Sequence, residues 1–133
     1  MERGEVWTAR LDEVRPVVLL TGPDPEFRVV QVVAPATPDE KRGFVVMSGE
    51  QATDAAERRR ILAAAGPGVR ASGIEVAVTG GVVRLALPQA GTIFCTWETR
   101  IAGEHLLERV GVLSPAKLRE LDAALALAAG HGV

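Results

Sequence analysis

The chain has 133 residues, 47% of them hydrophobic, with a formal net charge of -2, one cysteine and two histidines. That composition fits one soluble domain with one core. It excludes an intrachain disulfide, a cysteine-based zinc site and any apolar run of the roughly eighteen residues a membrane span needs.

The charged start MERGEVW carries no signal-peptide core, so a cytoplasmic protein with no membrane partner is expected. Glu5 to Leu11 alternates and predicts a first strand. Pro16 to Thr21 and Phe27 to Ala34 are apolar, β-branched runs of strand length. Gly22, Pro23, Asp24 and Pro25 lie between them and can continue neither, so the two runs form consecutive strands of one sheet. Gly43 to Met47 is a short strand candidate. Thr53 to Ala65 is rich in helix formers, with Asp54 and Glu57 spaced as a capping box and Gly66-Pro67-Gly68 as its stop. On that helix Ile61, Leu62 and Ala65 are expected inside, while Arg58, Arg59 and Arg60 form either a solvated face or a polyanion contact. Ile74 to Thr79, Gly80-Gly81 and Val82 to Leu87 read as a hairpin with a two-residue turn. Thr92 to Trp97 is a further strand, with Cys95 a small buried hydrophobe in it. Glu104 to Val110 reads as a short helix ended by Gly111. Ser114-Pro115 then opens a last helix, in which Leu118, Leu121, Leu125 and Ala128 recur at helical spacing. His105 and His131 are far apart, and no metal-ligand spacing and no cofactor motif is present. The expected fold is mainly β with helices (α+β): roughly six or seven strands with short connections, enough for a small barrel or a curled sheet.

Two polar residues mark the margins of the central pair of strands. Arg15 begins the first, and Thr37 follows the second in the segment V-A-P-A-T. In an antiparallel pair the start of one strand lies beside the end of the next. A guanidinium and a hydroxyl at one end of a sheet are a suitable set for gripping a phosphate. An arginine at a strand edge and a threonine beside proline are also ordinary surface and turn residues.

The order of short motifs adds to this. R-G-E-V-W leads to R-P-V-V-L-L, then to V-A-P-A-T, and R-V-G-V-L-S-P-A-K-L-R-E-L-D-A-A-L leads into the closing helix. In this order the chain resembles the MazF/PemK family of toxins from type II toxin–antitoxin systems. The matching pieces are Arg3 to Leu11, Arg15 to Thr37 and Gly91 to Leu127, within a single domain over residues 1–133 that carries an inserted helical segment around 38–73. The resemblance implies an SH3-like small β-barrel with added helices, a homodimer and a cognate antitoxin. It also implies a metal-independent endoribonuclease specific for a short sequence in single-stranded RNA. In that chemistry the ribose 2′-hydroxyl attacks the adjacent phosphate and leaves a cyclic phosphate and a 5′-hydroxyl. Arg15 matches the family arginine that steadies the phosphorane or protonates the leaving group, and Thr37 the family threonine that hydrogen-bonds the phosphate. Donors already in place where charge develops fit that role.

The chain departs from the family pattern in three ways. The loop before R-P is cut to Asp12-Glu13-Val14. Some members carry Arg-Cys-Asp where Phe94, Cys95 and Thr96 stand here, so that carboxylate is absent and Glu13 or Glu98 is left as a substitute. The segment 38–73 is extra. Glu13, Trp97, Glu98 and Arg100 form the expected RNA-contacting set, Trp97 either stacking a splayed base or plugging the barrel end. A second reading is a non-catalytic module acting by protein–protein contact, as the related CcdB toxins do.

Overall fold

The computed structural model describes residues 2–23, 25–42, 44–64, 71–78, 80–87 and 97–129. The expected strand Thr92 to Trp97 with Cys95, the Gly66-Pro67-Gly68 stop, Arg70 and His131 lie wholly or mostly outside them. Eight strands occur among the described residues: β1 Glu5–Arg10, β2 Val14–Thr21, β3 Phe27–Gln31, β4 Phe44–Ser48, β5 Ala71–Val78, β6 Gly81–Ala86, β7 Glu98–Ile101 and β8 Leu106–Val112. Three α-helices accompany them: α1 Gly49–Thr53, α2 Ala55–Ala64 and α3 Pro115–Ala128. The fold is α+β. No helix among the described residues is long and apolar enough to cross a membrane.

The strands divide into two sheets. The larger has the order β7-β3-β2-β1-β8 and is antiparallel throughout. The V-V-L-L run of β2 explains its central place. Val18 and Leu20 face one core with Val6 and Val30, while Val17 and Leu19 face a second with Ala9, Phe27, Val29, Ile101 and Leu106. A strand covered on both faces has no polar side to alternate with.

The outer strands β7 and β8 lie on opposite edges, yet only residues 102–105 join them, part of this link being a 3-10 turn over Gly103–His105. Five flat strands would span roughly 19 Å. A 3-10 turn advances only about 2 Å per residue, so the sheet must curl to bring its edges together. A Cβ on Gly103 would lie 3.4 Å from the Phe27 ring, which seats the turn against one end of the second core.

The expected closed barrel is not formed. The β5–β6 hairpin leaves the curled sheet and builds a second one with β4, in the order β4-β5-β6. Strands β4 and β5 are parallel, with α1 and α2 as their crossover. The segment 38–73 therefore contributes a strand as well as helix. One backbone bridge, Val33 to Val82, stitches the sheets. It requires Gly81, because a Cβ there would stand 2.4 Å from the Val33 carbonyl oxygen. Met47, Ile74, Val76, Val83 and Leu85 of the second sheet meet Val6, Val18 and Val30 of the first, and Leu121 and Ala124 of α3 complete the main core.

Other elements also depart from expectation. Residues 104–110 are not helical: after the 3-10 turn the chain enters β8, paired with β1 from Ala9↔Leu106 to Glu5↔Val112. Pairing with β1, from the opposite end of the sequence, outweighs the local helix preference of E-H-L-L-E-R. Gly111 pairs with Val6 instead of ending a helix, and Leu107 and Val110 are the extra residues of two bulges. The helical segment begins earlier than expected, at a capping box of Ser48 and Gln51, and breaks at Asp54, whose side chain accepts from the Ala56 and Glu57 amides. Ile61 packs on the core but Leu62 is 45% exposed, so the inward face of α2 is narrower than its sequence implies. The closing helix is as expected, with Ser114 accepting from the Lys117 amide, Pro115 in the first turn and Leu121 fully buried.

Candidate nucleic-acid interface

Arg15 is the second residue of β2 and pairs with Ala9 of β1. Alternation puts it on the same face as Val17 and Leu19, at the rim of the second core. Its side chain is 31% exposed. The preceding turn is closed by the Leu11 amide donating to the Glu13 carbonyl at 3.1 Å. That shortness places two acids against the guanidinium. Arg15 Nη2 lies 2.7 Å from Glu13 Oε1, and Nε lies 3.5 Å from Asp12 Oδ1. Asp12 Oδ1 also accepts from the Glu13 amide at 2.9 Å.

Trp97 stands at the same end of the sheet. Its carbonyl accepts from Gln31 at 2.8 Å, and Gln31 is opposite Val17. Two strand spacings, about 10 Å, therefore separate the Trp97 backbone from β2. The residue is 44% exposed and so is open to a stacking partner.

Glu98 and Arg100 are placed differently. They pair with Val30 and Arg28, and alternation turns them to the opposite face of the sheet from Thr99 and Arg15. Glu98 accepts from Arg28 Nε at 2.9 Å and also contacts Arg28 Nη2. This pair borders a cavity of about 420 Å³, also lined by Arg3, Leu20, Leu125 and Ala128. Glu98 is thus committed to Arg28 and is not beside Arg15. Arg100 is exposed and makes no ion pair among the described residues.

Thr37 is not brought to Arg15. The expected adjacency holds as far as Val32, whose amide donates to the Pro16 carbonyl at 2.9 Å. Beyond it the chain crosses to the second sheet. Val33 bridges to Val82, the Ala34 carbonyl accepts from Arg84 Nη2 at 2.8 Å, and the Ala36 amide donates to Glu75 Oε2 at 2.7 Å. These contacts lead along the hairpin and away from its turn, where Gly80 approaches Pro16. Thr37 then opens a helical turn as a capping box. Its amide donates to Glu40 Oε1 at 3.0 Å, and its hydroxyl accepts from the Glu40 amide at 3.2 Å.

A charge network lies behind that turn, and it was not apparent from the sequence. Glu75 and Arg84 are cross-strand partners on β5 and β6, both close to nine-tenths buried in their side chains. Arg84 also faces Glu40 at 3.7 Å, and Glu75 faces Lys41 at 3.5 Å. Two signals for it were present. T-P-D-E at 37–40 has capping-box spacing, and the hairpin carries one acid and one base on facing strands. The register is what hid the pair: a Gly80-Gly81 turn predicts Ala77 opposite Arg84, whereas Val78 pairs with Gly81, which sets Glu75 against Arg84. The Thr37 N–H, the strongest influence on it, holds the Glu40 carboxyl below the usual glutamate range, with the Thr37 hydroxyl and Arg84 adding to the effect.

Among the described residues no group of three or more His, Cys, Asp and Glu side chains is gathered as a metal site. The geometry offers instead a half-buried guanidinium and an exposed indole at one end of a curled sheet, with a hydroxyl-bearing turn on a separate corner. No protein-family model matches the chain, and no curated protein matches it.

Proposed function

We propose that the protein is a toxin of the MazF/PemK kind that binds and cleaves single-stranded RNA in the cytoplasm and is held in check by a cognate antitoxin. The observation that carries this reading is the placement of Arg15 at the rim of the curled sheet, with exposed Trp97 at the same end. A permanently charged planar fork suits a phosphodiester, and an exposed indole two strands away at the same end of the sheet suits a base splayed from the same RNA strand. The five-stranded curl with a 3-10 turn before its last strand is compatible with an SH3-like frame left open. In the proposed step the 2′-oxygen attacks phosphorus, its proton passes to a base, and the 5′-oxygen leaves with a proton. Arg15 stabilises the charge that develops on the non-bridging oxygens. Glu13, beside the guanidinium in the free protein, is the carboxylate this reading assigns as base once the phosphate has taken its place on Arg15. Thr37 contributes only if its corner swings toward Arg15 or if a second copy of a homodimer supplies it.

The second reading, a non-catalytic module acting through protein contact, is favoured by one specific observation. Arg15 and Thr37, the two proposed phosphate ligands, sit in separate local networks, each occupied by acids of its own loop. Incubation with a mixed-sequence single-stranded RNA in the presence of EDTA separates the two. The nuclease reading expects fragments ending in a cyclic phosphate and beginning with a 5′-hydroxyl. Intact RNA under conditions where it is bound would favour the second reading.

A further inference from the structure

Among the described residues three arginines present the same edge of the guanidinium, Nε with Nη2, to carboxylates, and they do so differently. Arg60 is matched to a single carboxylate: Nε donates to Glu57 Oε2 at 3.1 Å and Nη2 to Oε1 at 2.5 Å. Arg28 gives both nitrogens to one oxygen of Glu98. Arg15 has neither arrangement. Its Nη2 is well met by Glu13 at 2.7 Å, but Nε is buried and makes no hydrogen bond, and Asp12 Oδ1 stands 3.5 Å from it. Two separate carboxylates share an edge whose geometry suits the paired oxygens of one anion.

A buried N–H left without an acceptor is costly, and an anion that presents two oxygens to this edge would remove that cost. The acids now at the edge are free to leave. The side chains of Asp12 and Glu13 are 79% and 67% exposed, so Glu13 returns to water with little lost, and Asp12 gives up one exposed hydrogen bond from the Glu13 amide. We infer that Asp12 and Glu13 are internal placeholders on Arg15, occupying the position of a phosphodiester whose two non-bridging oxygens take Nε and Nη2 together. The consequence is self-inhibition of binding: RNA must displace two carboxylates before it meets the arginine. This deepens the function proposed above and rests on it only for the identity of the anion as RNA phosphate.

The test separates binding from cleavage. Fluorescence anisotropy is measured with a 2′-O-methyl oligoribonucleotide, which lacks the attacking hydroxyl, and with inorganic pyrophosphate as competitor. The parent is compared with the double variant Asp12→Asn, Glu13→Gln. Asparagine keeps the oxygen that accepts the Glu13 amide, so the turn survives, and far-UV circular dichroism with a melting curve checks that it does. Removing two nearby negative charges should tighten oligonucleotide binding by about tenfold or more at low salt, and by less as salt screens the site. Adding Arg15→Gln to the double variant should cancel the gain, since the anion would then have lost its fork. A folded double variant that binds neither oligonucleotide nor pyrophosphate more tightly than the parent overturns the inference. A gain that persists without Arg15 also overturns it, because general charge and not the guanidinium edge would then be responsible. A gain for pyrophosphate alone, dependent on Arg15, supports the placeholders while removing RNA as the ligand, and so counts against the proposed function and not against this site.

Discussion

At the scale of single residues the proposed chemistry turns on Arg15. Its removal costs the fold little, because its ion partners are exposed acids whose pairing is worth about 1 kcal/mol or less. Arg15→Ala should therefore melt within a few degrees of the parent while RNA cleavage falls by about two to three orders of magnitude, the scale of losing one donor to a developing charge. Arg15→Lys should recover only a small part, since an ammonium cannot hold two oxygens in one plane. Cleavage by Arg15→Ala at the parent rate would falsify the role given to this residue. Glu40 supplies a prediction in pH. Its carboxyl is held below the ordinary glutamate range, chiefly by the Thr37 N–H. A depressed folded pKa means that the ionised form stabilises the fold above the unfolded value, and that this contribution is lost as pH falls through the folded one. The melting temperature of Glu40→Gln should consequently fall less than that of the parent on acidification below the normal glutamate range, with the two differing most near neutrality. Parallel curves for the two proteins across that range would show that the Thr37–Glu40 box contributes nothing.

At the scale of elements, what the sequence made legible is what local chemistry decides. β1, β2 and β3 follow from apolar runs cut by Gly-Pro-Asp-Pro, and α3 follows from Ser114-Pro115 and its leucine spacing. The β8 strand was not legible, since E-H-L-L-E-R prefers a helix until β1 pairs with it. The place of Thr37 is hard to read for the same kind of reason: strand adjacency predicts its position only while β3 continues, and at Val33 the chain bridges to Val82 of the second sheet. Arg15 stands at the start of an apolar run, which composition marks, whereas β7, Glu98–Ile101, was not expected: the strand read from the sequence there ends at Trp97 and lies mostly outside the described residues. The α2 arginines show how contacts narrow an open choice. Arg58 donates to the Ala52 carbonyl at 2.7 Å, and Arg60 is paired with Glu57, so two of the three already have partners within the segment. A solvated, locally stapled helix is the reading this supports. Replacing Arg58, Arg59 and Arg60 together by glutamine should lower stability by about 1 kcal/mol, mostly through the Arg58 bond. The salt dependence of RNA binding should stay unchanged. A flattened salt slope in a folded triple variant would instead place this helix against the phosphate backbone.

At the scale of the molecule, the feature that calls for a partner is the β8 edge. It is the outer strand of the curled sheet, and Leu107, Val110 and Val112 are all exposed on it. Val112 also borders a groove of about 390 Å³ with Ala77, Val78, Leu113, Ser114 and Lys117. Exposed apolar side chains on a sheet edge are a hazard unless something covers them. The bulges at Leu107 and Val110 interrupt regular pairing along the strand, so a partner would pack on side chains instead of extending the ladder. A second copy meets that need through a two-fold axis, since one patch then covers its own equivalent. It is also the partner that the proposed function expects. Sedimentation at micromolar concentration should therefore show a dimer. Val110→Glu should weaken it at least about tenfold, because each protomer would bring an unpaired carboxylate into the contact. The variant should fold normally, as Val110 is exposed and outside both cores. A parent protein that sediments as a monomer removes the dimer, and a dimer indifferent to Val110→Glu moves its interface away from β8. If the dimer forms through β8, mixing Arg15→Ala with Thr37→Ala subunits tests whether the active groove spans it. Each mutant alone should be inactive. Recovery of up to about a quarter to a half of parent activity in the mixture would show that one copy supplies Arg15 and the other Thr37, the arrangement that their separation within one chain requires of a two-residue phosphate grip. No recovery in a mixture shown to exchange subunits would leave the swing of the Thr37 corner as the remaining route.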